Sequence, residues 1–157
     1  MKAFRFRLQA VLTLREQAEQ TAQQVCAGAC VALDQAAARL RSAEAEIAAN
    51  DQLWRARLAA GLRAEELEQW RLYAGLLYDR RTRMARELAQ AREQLEEARR
   101  QLLLATRRRE TLERLRHRQR RMHDYEAARA EQKLLDELSK RVPLLASSGR
   151  EEPSLMS

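Results

Sequence analysis

No proline occurs between Phe4 and Val142; the two in the chain, Pro143 and Pro153, lie near its C-terminal end. Proline inside a helix removes an amide donor and clashes with the preceding turn, so its absence permits very long helices. Glycine is nearly as scarce, with 4 residues among 157, and aromatic side chains make up only 4 %. So few large side chains cannot fill a broad core, which leaves a narrow apolar seam as the means of burial. No run approaches the roughly 18 apolar residues of a membrane span, and none resembles a signal peptide. A cytoplasmic protein is expected. Lysine appears only at Lys2, Lys133 and Lys140, so the net charge of +7 is carried almost wholly by arginine.

What remains is Ala, Leu, Glu, Gln and Arg, with 34 % of residues charged. That composition, with leucine and alanine recurring at three- and four-residue steps, specifies paired helices. The first helix is expected over about 6–60. Its stripe runs through Leu8, Val11 or Leu12, Arg15, Ala18, Ala22, Val25 and Ala29, then steps by four to Leu33, Ala36, Leu40, Ala43, Ile47, Asn50 and Trp54. The extra step reads as a stutter. Gly61 follows the last periodic residue, where a left-handed cap favours glycine, and Glu65 and Glu66 suit the positive first turn of a second helix. Two or three linking residues force antiparallel neighbours.

The second helix is expected over about 64–141, with a stripe through Leu67, Trp70, Ala74, Leu77, Arg81, Met84, Leu88, Ala91, Leu95, Ala98, Leu102, Ala105, Arg109 and Leu112. The chain thus reads as all-α: a long antiparallel two-helix coiled coil, or helical hairpin, forming one domain over 1–142. A turn at Gly61 sets Trp54 opposite Trp70 and Phe6 near Arg118, and leaves residues from about 121 to 140 overhanging. Pro143 is expected to end the helix, with 143–157 a flexible tail.

Sites for chemistry are few. Cys26 and Cys30 share a helix face, as half of a metal site or as two small apolar seam residues; no second cysteine pair completes four ligands. His117 and His123 point to different sides of a helix and read as solvated. With no phosphate-cradling glycine loop and no pocket in a two-helix rod, neither catalytic, metal nor cofactor residues are assigned. The arginines between Arg80 and Arg121 form a field for an acidic partner or a solvated surface interleaved with glutamates. Trp54 and Trp70 form either a clasp closing the hairpin, or a clasp that also presents Tyr73 to a partner.

The opening Phe4-Arg5-Phe6-Arg7-Leu8-Gln9-Ala10-Val11-Leu12 followed by Arg15 resembles the start of the flagellar FliJ family. The resemblance continues through Gly61, Leu67, Trp70 and Tyr73 to the charged Glu131-Gln132-Lys133-Leu134-Leu135-Asp136-Glu137-Leu138. It implies a coiled-coil component of the flagellar type III export apparatus, held peripherally at the inner face of the cell membrane. The implied partners are the hexameric export ATPase, the cytoplasmic domain of the export gate, and export chaperones. The implied ATPase-facing residues are Phe4, Phe6, Leu8, Glu131, Lys133, Asp136 and Glu137. The implied gate-facing residues are Ile47, Trp54, Trp70, Tyr73 and Leu77. A basic coiled-coil nucleic-acid binder or other scaffold is the alternative; a zipper-type reader needs a basic region continuous with a parallel dimer, which a glycine hairpin opposes.

Overall fold

The computed structural model describes residues 3–147, with side chains through residue 140. Two helices account for nearly all of it: α1, Gln9–Ala60, of 52 residues, and α2, Ala64–Ser147, of 84 residues. No strand occurs among the described residues. The fold is an all-α antiparallel helical hairpin.

The turn follows from one backbone conformation. Gly61 has φ of 89°, in the left-handed region where a Cβ would meet the following carbonyl oxygen. Its amide donates to the Leu58 carbonyl at 3.3 Å, closing the last turn of α1. Arg63 precedes α2, and its amide donates to the Glu66 carboxylate at 3.2 Å, the reach-back half of a capping box.

The chain divides into two compact units, Thr13–Arg109 and the two terminal segments, up to Leu12 and from Glu110. Within Thr13–Arg109 the two helices pair along a thin seam. Its buried residues are mostly small: Ala36, Ala43, Ala74, Ala91 and Ala98, with Leu77, Leu88 and Leu95 as the larger members. Each buried leucine contributes about 2 kcal/mol and each alanine much less, so stability accumulates along length. Ion pairs between the helices mark the antiparallel register: Arg39 with Glu87 at 3.9 Å, Glu46 with Arg80 at 2.7 Å, and Arg57 with Glu66 at 3.8 Å. Exposed pairs of this kind each contribute about 0–1 kcal/mol, so they serve register more than stability.

In the terminal unit, Phe6 and Leu12 are buried, and the Phe4 ring meets the His123 ring with centroids 5.7 Å apart. Beyond His123 only Ala127 is shielded as far as residue 140.

Several expectations require correction. The stripe of α1 does not pass through Ala18 and Val25, which are exposed; Glu19 and Cys26 turn inward instead. With that change the inward positions run 12, 15, 19, 22, 26, 29, 33, 36 and 40 in unbroken alternation of three and four, so there is no stutter. On α2, Leu67 and Arg81 are exposed rather than in the seam. The helix also runs through Pro143 to Ser147, past the expected end near 141. The proline removes one amide from the ladder, and the helix-favouring Leu144, Leu145 and Ala146 carry the segment on. Of the expected tail, residues 148–157 lie outside the described residues.

The glycines yield a contrast. A Cβ at Gly28 or Gly61 meets nothing within 4 Å, so backbone conformation alone decides each substitution. Gly28→Ala, inside α1, should stabilise by about 1 kcal/mol. Gly61→Ala should destabilise by about 1–2 kcal/mol. Urea melts of the two variants check this; a loss at Gly28 contradicts its place inside α1, and no loss at Gly61 contradicts the turn described.

Candidate partner-binding surfaces

Near the turn, Trp54 and Trp70 stack with ring centroids 4.1 Å apart and planes inclined by 12°. Stacking of this kind contributes about 0.5–1.5 kcal/mol beyond burial, and it clamps the two helices beside Gly61. Both rings are half-buried, and the Trp70 indole N–H is buried with no acceptor among the described residues. The implied gate-facing residues do not share one environment. Leu77 is buried in the seam and Ile47 is half-buried, whereas Tyr73 is 53 % exposed. Leu53, Leu72 and Leu76 are also exposed. The accessible apolar surface near the turn thus includes Tyr73 and these leucines, of which Leu53 and Leu72 went unnoticed in the sequence because they lie off the stripe.

In the terminal unit, Phe6 is buried, Phe4 half-buried and Leu8 partly exposed. Phe4, Phe6 and Gln9 line a groove with Arg116, His117 and Arg120. His123 is not the solvated side chain expected: it is half-buried, with Phe4 on one side and its Nδ1 3.4 Å from the Asp124 carboxylate. Glu131, Lys133, Asp136 and Glu137 are all exposed, and Gln132 donates to Asp136 at 3.0 Å along the helix. Leu134, Leu135 and Leu138 are 61 %, 61 % and 59 % exposed on the same stretch. Three leucines within five residues, exposed among the described residues, form an unsatisfied apolar surface.

Between α1 and α2, the inward Glu19 is met by α2. The Thr106 hydroxyl donates to Glu19 Oε1 at 2.7 Å, and Arg109 Nε donates to Glu19 Oε2. The pair is largely shielded, with side chains 12 % and 23 % exposed for Glu19 and Arg109. A charge placed in an apolar seam is tolerated only with such partners, and it disfavours any register that separates them. Local spacing does not single Glu19 out, because the steps from Val11 through Arg15, Ala18, Ala22 and Val25 alternate just as regularly; the partners on α2 decide.

Cys26 and Cys30 are both free and half-buried, and no group of three or more metal-ligating side chains occurs among the described residues. No described helix is long and apolar enough to cross a membrane.

The geometry defines an antiparallel coiled-coil hairpin with exposed apolar surface near its turn and along the end of α2. The family model for the flagellar FliJ protein matches residues 4–146, and the chain belongs to that family. It is accordingly a component of the flagellar protein-export apparatus, in a family of structural export proteins. A solved structure from Chlamydia trachomatis, described as that of a YscO homologue, matches with a TM-score of 0.60 at 18 % identity. The match covers 94 % of this chain and 100 % of that one; at this identity it establishes the fold alone. No curated protein matches the sequence significantly.

The Glu19 layer has a pH signature. The Thr106 hydrogen bond holds the Glu19 carboxyl below its ordinary value; partial burial opposes this, and Arg109 reinforces it. A carboxyl more acidic when folded stabilises the fold fully above the ordinary glutamate range, and that contribution fades as pH falls through the folded value. Glu19→Gln should therefore cost about 1–2 kcal/mol at neutral pH, the gap from wild type closing below pH ~4. Urea melts of both proteins across that range test it, and a gap independent of pH contradicts it.

Proposed function

We propose that this chain is the stalk of a flagellar export ATPase: its terminal unit inserts into the hexameric ring and raises its activity, without any catalysis of its own. The observation that carries the reading is the end of α2, where residues 128–140 are all exposed and leave Leu134, Leu135 and Leu138 uncovered. A helix of 84 residues paired with one of 52 has more length than its partner covers, and the uncovered length calls for another surface. Family membership supports an export ATPase ring as that surface, and Leu8, Glu131, Lys133, Asp136 and Glu137 would be the accessible contacts. Phe4 and Phe6 would serve that end by packing the segment before α1 against α2 rather than by direct contact.

The opposite role falls to the turn. Tyr73 and the exposed leucines beside it would meet the cytoplasmic domain of the export gate, with Trp54 and Trp70 holding the surface in place. Ile47 and Leu77 support it from within. Export chaperones would dock on other exposed faces. The protein works in the cytoplasm, at the inner face of the cell membrane, through these partners. A nucleic-acid role finds less support, because many arginines of α2 already face carboxylates: Arg80 faces Glu46, Arg81 faces Glu44, and Arg99 and Arg100 face Glu96 and Glu97.

A ligand that binds only the assembled ring increases the ring population by mass action, so stimulation should require the end of α2. Removing residues 121–157 should abolish stimulation of the cognate ATPase while the Thr13–Arg109 unit keeps its helical signal. Tyr73→Ala should leave stimulation and melting unchanged and weaken binding of the gate domain about tenfold, the loss expected of one hot-spot side chain. If the truncated chain stimulates as well as the full one, the stalk mechanism is wrong.

A further inference from the structure

We infer that one face of α2 in the terminal unit, centred on Met122 and Tyr125, is a docking surface for a membrane rich in anionic phospholipid. Arg118, Met122, Tyr125 and Arg129 follow at steps of four, three and four, which places them along one side of the helix. Together with Arg121 and Glu126 they line a shallow groove of about 460 Å³. The two apolar members are exposed, Met122 by 56 % and Tyr125 by 69 %.

The charges on this face are uncompensated. Nearby, Arg114 reaches Glu110 at 3.4 Å and Arg120 reaches Asp124 at 3.9 Å, but Arg118, Arg121 and Arg129 make no ion pair among the described residues. Three free guanidiniums face a single carboxylate, Glu126, in the groove. The chemistry that satisfies them is anionic, and the apolar centre decides between anionic partners. A nucleic-acid backbone uses aromatic platforms for stacking, and Tyr125 is the only one here. Met122 has no role against phosphates. In a bilayer interface the same residues are complementary: thioether and phenol settle at the boundary of acyl chains and headgroups while arginines reach the phosphates. Tyrosine favours that depth because one end is apolar and the other polar.

A terminal unit held in the ring cannot also lie on a bilayer, so this surface belongs to the chain outside the ring; it requires no ATPase, and its test is independent of the stalk mechanism. Each arginine held at an anionic surface strengthens binding about fivefold, so three together contribute roughly a hundredfold. The full chain should co-sediment with vesicles of phosphatidylglycerol and phosphatidylcholine, and should not with phosphatidylcholine alone. Arg118→Gln, Arg121→Gln and Arg129→Gln combined should lower affinity about a hundredfold. Met122→Gln with Tyr125→Gln should lower it several-fold and make the remaining binding vanish toward 1 M salt, where screening reaches about 3 Å. All five positions are exposed, so circular dichroism should be unchanged. The proposal is overturned if wild type ignores anionic vesicles, if either variant binds them as wild type does, or if a single-stranded oligonucleotide binds more tightly than the vesicles and displaces them.

Discussion

A two-helix hairpin buries one stripe of each helix and nothing more, and every other property of this protein follows from that limit. With no third layer to shield an error, each inward position must find its partner on the facing helix. The seam is therefore long rather than thick. Alanines let the helices approach, leucines supply most of the burial, and the Trp54–Trp70 stack and the Glu19–Arg109–Thr106 contact pin the register at separate points. The same limit leaves apolar side chains unburied wherever facing helix runs out, as at Leu134, Leu135 and Leu138.

Much of this was legible from residue spacing alone. The stripe of α2 from Trp70 to Leu112 matches the inward positions apart from Arg81, because leucine and alanine dominate it and few polar residues compete. The turn was legible because only glycine adopts its φ cheaply, and the tryptophan stack followed from counting outward on both sides. The first half of α1 was not legible in the same way. Ala18 and Val25 are more apolar than Glu19, so a search for apolar periodicity selects them. What turns Glu19 inward is a hydroxyl and a guanidinium almost ninety residues away in sequence, and no local pattern carries that information. The shielding of His123 is similarly non-local, since it depends on where Phe4 lands.

The surfaces implied by family membership divide in the same manner. Spacing locates residues on the hairpin, but it does not separate those that touch a partner from those that hold the surface up. Leu77 and Phe6 belong to the second kind because they are buried, while Tyr73, Glu131 and Asp136 are accessible. Exposure is a property of the pair of helices, so it becomes readable only once register is known. Family membership gives the apparatus in which the protein works, and the exposed end of α2 is what supports the proposal of a ring-gripped stalk.

The central claim is that the end of α2 lacks a partner in the free chain and gains one in the export ATPase ring. Amide hydrogen exchange reads this directly, because an unpaired helix end opens at far lower free energy than a packed seam. In the free chain, amides of residues 124–140 should exchange much faster than those around Leu88 and Leu95. Adding the assembled hexamer should slow exchange in that stretch while leaving the seam unchanged. Strong protection of 124–140 in the free chain, or no added protection under conditions where the ATPase is stimulated, would contradict the account.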